Sequence, residues 1–556
     1  MEMTGGQALA RQLVAEGVRD MFGIPGVQLD WATDGLLDVA DKLRYYTPRH
    51  EQAASYMADG YARTSGREGV CMVVPGPGLL NAMSGLATAY ACNSPVLCIS
   101  GQIPSHHIGR DLGMLHEVRD QSATLGTVTK WHALATKPQD IPGLVNEAFR
   151  QMRTGQPRPV GIEVPPDVLQ ARADIELLAP AVGDATLDVE PAVLEQLAQE
   201  LKQARFPVIY VGGGALAAQA GEALQRLAER LSAPVVMSEN GRGAISSRHP
   251  LATTLLGSRC LFPHADFVLV VGSRFVDGMG RPTHASASCR YAYVNLNAAH
   301  LGAPRQPGTA LSGDARAVLA ALAELVEGHK PRESREGAVA QVKAWCEQQF
   351  DQIQPQRAYA QVLRRLIPEN GILVSELTQV GYMSNISYPI YERRTLITPG
   401  YQGTLGYGFA TAIGASLGNP HRPVVSINGD GGFGWNLQEL ATVAKYRPRL
   451  VTIVFADGAF GNVRRIQANV FKREIGTDLH NPDFVALARA FGLPAVSVDS
   501  PEGLESELAA ALRSDGPAFI EVKVSAMPGA WHLIHSFSKA PHPAPPNPLG
   551  EPLVAA

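Results

Sequence analysis

Nowhere in the 556 residues do about 18 apolar positions run without interruption, so no segment reads as a membrane span. Basic clusters are missing too. With a formal net charge of −4 and no run of Lys or Arg, the chain has no electrostatic footprint for nucleic acid. Cysteine is sparse: Cys71, Cys92, Cys98, Cys260, Cys289 and Cys346 show neither CxxC pairing nor zinc-ligand spacing. That pattern reads as reduced thiols in a cytoplasmic protein. The opening MEMTGGQALARQLVAEGV places Leu9 and Leu13, with Phe22 beyond, at helical spacing, an amphipathic helix rather than a signal peptide. Glycine is plentiful at 55 residues, which suits many tight turns between strands and helices.

The length suggests about three domains, and three blocks alternate short apolar runs with helix-period segments, the pattern of parallel sheets covered by helices. Residues 1–170 form the first, with VCMVV (70–74), SPVLCIS (94–100) and the closing PVGIEVP as strands. A Pro/Asp/Ala-rich linker follows near 171–190. The second block, 190–330, carries PVIYVGGG, APVVMSENG, DFVLVVGSRF and YAYVNLN, and the charged EGHKPRESREG (327–337) separates it from the third. That third block, 355–525, contains GILVSE, PVVSINGDGG, RLVTIVFADG and PAFIEVKV. Residues 526–556 read as an irregular, Pro-rich tail whose flank MPGAWHLIH is expected to pack on the surface. The expected fold is therefore α/β, with three doubly wound parallel-sheet domains.

Chemistry concentrates in GDGGFGWNLQELATV and VFADGAFGN. Val424–Ile427 reads as a buried strand, residues 436–446 as a helix, and Leu450–Phe455 as the next strand, making one βαβ unit. Asp430 and Asp457 then both fall at the carboxyl ends of parallel strands, the edge where such sheets bind ligands. Either Asp-Gly alone is an ordinary turn dipeptide; the pair in this setting suits Mg²⁺, which shares its oxygen shell between carboxylates, carbonyls, water and phosphates. Glycines at 429, 431 and 432 leave room for phosphate oxygens, and a helix after Gly461 offers its positive N-terminus to the same anion.

These two stretches resemble the thiamine-diphosphate fingerprint, and the resemblance extends over nearly the whole chain, most closely to acetolactate-synthase-like enzymes. It implies pyrimidine-binding, central and diphosphate-binding domains in that order. It also implies Mg²⁺ ligation by Asp430, Asp457 and the Ala459 carbonyl. Phosphate oxygens would meet N–H groups around Gly431, Gly432, Phe460, Gly461 and Asn462, with Leu377, Thr378 and Gln379 bordering the diphosphate. The family usually ends this motif with Asn-Asn, where this chain has Ala456-Asp457. Glu51, in RHEQAASYMADGYARTSG, is by itself a first-turn acid favoured by the helix dipole; the resemblance makes it the partner of the aminopyrimidine N1′ and a catalytic residue. PGYQGTLGYGFATAIGA similarly implies Leu405 wedged beneath the bent cofactor and the Gly403 carbonyl facing its 4′-amino group.

The substrate side departs further from the family. IPGVQL puts Val27 and Gln28 beside the reactive carbon, and IGRDLGMLHEVRDQ places Leu115 and His116 where Phe-Gln is expected. His116 is either a catalytic proton donor or a polar wall. Acetolactate synthases bind FAD in the central domain, but Asn295-Leu296-Asn297 stands where Asp-x-Asp is common, and Phe275-Val276-Asp277-Gly278 replaces Phe-Asp-Asp-Arg. FAD is doubtful on these residues. The resemblance implies decarboxylation of a pyruvate-like 2-oxo acid and carboligation of the acyl carbanion to a second carbonyl acceptor. The alternatives are a non-oxidative decarboxylase, a 1,2-diketone-cleaving enzyme, or a catalytically silent paralogue acting as a binding partner. Family sites form between subunits, so a homodimer is the expected minimum and a homotetramer the fuller expectation.

Overall fold

In the computed structural model, which describes residues 1–184, 189–276, 288–302, 305–329, 332–535 and 539–551, the apolar runs become the strands of three six-stranded sheets. Every neighbouring pair within them is parallel. The first sheet holds Asp20–Gly23, Arg44–Tyr46, Gly69–Val73, Val96–Gly101, Trp131–Leu134 and Val160–Val164. Numbered in chain order, these lie side by side as 2-1-3-4-6-5. The last sheet, of Ile372–Ser375, Leu396–Ile397, Val424–Gly429, Leu450–Ala456, Ala495–Val498 and Ala518–Lys523, repeats that order. The middle sheet differs: Pro207–Val211, Val235–Met237, Ala252–Thr254, Phe267–Val271, Arg290–Asn295 and Thr309–Ser312 lie as 3-2-1-4-5-6. Strands such as Val96–Gly101 are buried at every position, because helices cover both faces of a parallel sheet.

The N-terminal helix runs over Gly5–Ala15, started by Thr4 and Gln7 in a reciprocal capping box. A short antiparallel pair, Glu2–Thr4 with Arg172–Asp174, ties the chain start to the segment after the first sheet. The charged stretch read as a separator contains the start of a helix, Glu336–Phe350. Among the described residues no helix is long and apolar enough to cross a membrane.

One apolar core joins the first and last units. Helix Glu51–Ser65 lies directly on helix Tyr407–Gly418, and both are buried along most of their lengths. A Cβ on Gly60 would sit 2.1 Å from the Thr411 carbonyl oxygen, and one on Gly414 only 1.9 Å from that of Met57. Each helix thus offers a glycine to the other's backbone, and larger residues at these two positions would force the units apart.

The flank MPGAWHLIH departs from its expected surface position. Ala530 and Leu533 enter a buried cluster, and Trp531, Leu533 and His535 line a cavity of about 440 Å³ between the units. Trp531 also donates from Nε1 to Asn462 Oδ1 at 3.1 Å and packs on Tyr382 with ring centroids 4.6 Å apart. An indole with a donor to satisfy gains more from this half-polar cleft than from open solvent.

Candidate active site

Three adjacent strands of the last sheet end on acids: Ile372–Ser375 on Glu376, Val424–Gly429 on Asp430, and Leu450–Ala456 on Asp457. Asp430 is 3% exposed. Its Oδ2 accepts from the Gly458 N–H at 2.8 Å and from Asn481 Nδ2 at 2.7 Å, and its Oδ1 accepts from the Gly431 N–H. Asp457 Oδ1 accepts from the Ala459 N–H at 3.1 Å. Burial and the neighbouring charge of Asp430 push the Asp457 carboxyl above its usual range, against the lowering effect of the Ala459 N–H and Arg464. Two acids forced together in this way fit a divalent cation. Among the described residues no cluster of three or more His, Cys, Asp or Glu side chains gathers as a metal site. Asp430 and Asp457 offer oxygen donors alone, so the rest of a Mg²⁺ shell would fall to carbonyl, water and phosphate.

The helix Gly461–Phe471 begins beside this pair without a side-chain cap, so its first N–H groups remain available to an anion. A Cβ on Gly461 would come within 2.6 Å of Asp457 Oδ2, which is how the helix start reaches the carboxylate. Two of the expected donors are already engaged within the chain. The Phe460 N–H is already bonded to the Thr477 carbonyl at 2.9 Å, because residues 458–460 and 477–479 pair as a short antiparallel bridge. Gly431's N–H is held by its neighbour Asp430, leaving Gly432, Gly461 and Asn462. The glycines of GDGG also answer a packing need. Residues 430–433 form a one-turn helix, where a Cβ on Gly431 would strike the Phe460 ring at 2.8 Å and one on Gly432 the Glu376 carboxyl at 2.2 Å.

Across the same edge, Leu377 packs near Gly403, Thr378 lies near Gly429 and opens the helix Gln379–Ser387, and Gln379 Oε1 is buried without a partner among the described residues. Gly403 and Gly406 both adopt left-handed backbone, φ +58 and +81. The Gly406 peptide is gripped on both sides: its N–H donates to Glu376 Oε1 at 2.7 Å, and its carbonyl accepts from Asn436 Nδ2 at 2.6 Å. Leu405, on this clamped turn, is 39% exposed.

A second constellation occupies the carboxyl edge of the first sheet. Glu51 opens the helix Glu51–Ser65, and its Oε2 accepts from Asn81 Nδ2 at 3.0 Å. His116 Nδ1 lies 3.1 Å from Gln28 Oε1, and Gln28 Nε2 donates to the Leu115 carbonyl at 3.2 Å. His116 has φ +68, unusual for a side chain with a Cβ, and its carbonyl closes on Gly76. Val27, Gln28, Leu115 and His116 are thereby brought into one patch, with Val27 and Leu115 exposed. Among the described residues, Glu51 makes no hydrogen bond to the Asp430 set.

Glu376 and Asn481 escaped the sequence reading. Glu376 had a signal, as the acid ending GILVSE on a strand neighbouring the Asp430 strand. Asn481 had none, since it lies in an aperiodic loop far along the chain from the residues it serves.

Comparison with known proteins adds three matches and a set of relatives. Residues 3–124, 194–322 and 378–522 match the N-terminal TPP-binding, central and C-terminal TPP-binding domains of thiamine pyrophosphate enzymes. A probable 2-ketoarginine decarboxylase of Pseudomonas aeruginosa is 35% identical over 535 residues, covering 94% of either chain. A probable acetolactate synthase large subunit of Methanocaldococcus jannaschii is 32% identical over 94% of this chain and 92% of its own. The large subunit of acetolactate synthase isozyme 1 of Escherichia coli is 30% identical over 96% of both.

Proposed function

The chain belongs to the thiamine pyrophosphate enzyme family, and on that premise we propose that it decarboxylates a 2-oxo acid with thiamine diphosphate and Mg²⁺. The acyl unit then passes to a second carbonyl, the outcome of an acetolactate-synthase-like carboligase. One observation carries the reading: Asp430 and Asp457 lie together at adjacent strand ends beside an uncapped helix start.

When bound, thiamine diphosphate supplies the nucleophilic carbon and the electron sink that cleavage beside a carbonyl requires. The protein's own part is binding, orientation and proton handling. Asp430, Asp457 and the Ala459 carbonyl are assigned to Mg²⁺, and the N–H groups of Gly432, Gly461 and Asn462 to phosphate oxygens. Leu405 is assigned to shaping the cofactor from its clamped turn, and Glu51 to holding a proton at the pyrimidine, oriented by Asn81. FAD is outside the proposal, because Asn295 uses its amide on the Ser273 carbonyl and its oxygen on the Asn297 N–H. Of Phe275-Val276-Asp277-Gly278, the last two lie outside the described residues.

A homodimer completes the proposal. Helix Gly461–Phe471 has no buried residue, and Val463, Ile466, Val470 and Phe471 stay exposed beside the Asp430–Asp457 pair. Val27, Leu80 and Leu115 are exposed around the Glu51 constellation. Two copies that bring one patch to the other cover both apolar surfaces and unite the two constellations.

A second reading has its own support. In it His116, held by Gln28 at a positive φ, is assigned to donate a proton and end the reaction as simple decarboxylation to an aldehyde. The test is a panel of 2-oxo acids, including pyruvate and basic ones such as 2-ketoarginine, offered with and without carbonyl acceptors while CO₂ and products are identified. CO₂ release with a hydroxyketone product is expected. Aldehyde alone moves the conclusion to the second reading, and no CO₂ from any acid at saturating cofactor and Mg²⁺ overturns both.

A further inference from the structure

Glu376 is 2% exposed and lies beneath both glycine-rich segments of the C-terminal site. Its Oε1 takes the Gly406 N–H at 2.7 Å, fixing the turn that carries Gly403 and Leu405. The same carboxyl group fills the space a Cβ on Gly432 would occupy, 2.2 Å away, two residues beyond Asp430. Its Cβ also sits 3.0 Å from where Gly408 would carry one. Oε2 is buried with no hydrogen-bond partner among the described residues. Such a group is costly to bury unless it has a task.

We propose that Glu376 is a positioning residue, whose carboxyl group sets the Gly403–Gly406 turn against the Asp430 segment so that both grip one cofactor. The proposal rests on the reading that this site takes thiamine diphosphate. Glu376 does not touch the reacting atoms; it acts through the two backbone segments it separates.

Charge bears on how this works. Burial pushes the Glu376 carboxyl up to about 8, although the N–H groups of Gly406, Gly429 and Tyr407 favour its ionised form. Among the described residues no cation offsets it, and the titratable groups facing it are Tyr56 from helix Glu51–Ser65 and Tyr382 from helix Gln379–Ser387. Asp430, on the segment packed against it, directs its carboxylate to Gly458 and Asn481 instead. That shift favours the neutral acid at pH 7. A carboxyl raised above its unfolded value costs stability progressively as pH climbs from the unfolded pKa to the folded one, and the loss is complete above the latter.

The experiment compares wild type, Glu376→Gln and Glu376→Ala for thiamine diphosphate affinity at pH 7 and pH 9, and for thermal stability without cofactor from pH 5 to 9. Glu376→Gln, which mimics the neutral acid, is expected to bind within about threefold of wild type at pH 7 and to lack the wild type's weakening at pH 9. Glu376→Ala is expected to bind at least about tenfold more weakly at both. Wild-type stability should fall relative to Glu376→Gln between pH 5 and 8 and run parallel above. Equal pH profiles for wild type and Glu376→Gln overturn the proposal, as does full affinity in Glu376→Ala; if that variant does not fold, the Gln comparison decides. Failure of the wild type to bind thiamine diphosphate with Mg²⁺ overturns the reading of the site instead, and the cofactor-free stability profiles then decide the role of the carboxyl.

Discussion

At the scale of single residues, Asp457 is where this chain departs most sharply from the motif it resembles. A second carboxylate strengthens a hard-cation site yet adds negative charge beside a diphosphate. Asp457→Asn is expected to keep cofactor affinity within about threefold, whereas Asp457→Ala should weaken it at least about tenfold, or 1.4 kcal/mol, by titration calorimetry with Mg²⁺. Glu51→Gln removes an acid while keeping a side chain that Asn81 can hold. It should bind cofactor normally and lose about 10²-fold or more in turnover, with C2 proton exchange of bound cofactor slowed to match. Glu51 stood out only through the family resemblance, whereas Asp430 and Asp457 drew attention because each stands where an apolar strand gives way to an Asp-Gly turn. Glu376 had the same address. It was passed over because a strand-end acid ordinarily faces solvent, and only the packing of Gly432 against it reveals its burial. Asn481 was invisible, since a loop amide joins a site through the path of the chain and leaves no periodic trace.

Among elements, the strands were the easiest to read. The expected VCMVV became Gly69–Val73 and SPVLCIS became Val96–Gly101, each bounded by the Gly and Pro residues that end it. The small pair Glu2–Thr4 with Arg172–Asp174 was not foreseen, because three-residue strands carry too few side chains to show alternation. The segment after GDG divides into a one-turn helix, a short 3-10 turn over Leu437–Glu439 and the helix Leu440–Tyr446, rather than a single helix. The contact between helices Glu51–Ser65 and Tyr407–Gly418 was also hidden, as nothing in either sequence says which partner its glycine meets. Gly414→Val tests that contact. It should cost about 2 kcal/mol or more in urea unfolding, since backbone rather than a flexible side chain blocks the new atoms.

For the whole molecule, the doubly wound architecture followed from alternating strand and helix signals, while the strand orders did not, because neighbours in a parallel sheet are chosen by long-range packing. The shared order of the first and last sheets is one such outcome. Assembly is the property tested at this scale. Phe471→Asp, on the exposed helix face beside the Asp430–Asp457 pair, should yield a monomer by light scattering and remove activity while leaving the unfolding midpoint of the isolated chain unchanged.

The reciprocal seating of Gly60 and Gly414 has a corollary for tolerance to change. With each helix resting on the other's main chain, the seam between the outer two units has no room for a side chain at either position. Repair of a larger residue there would have to come from movement of backbone, which is far costlier than a change of rotamer.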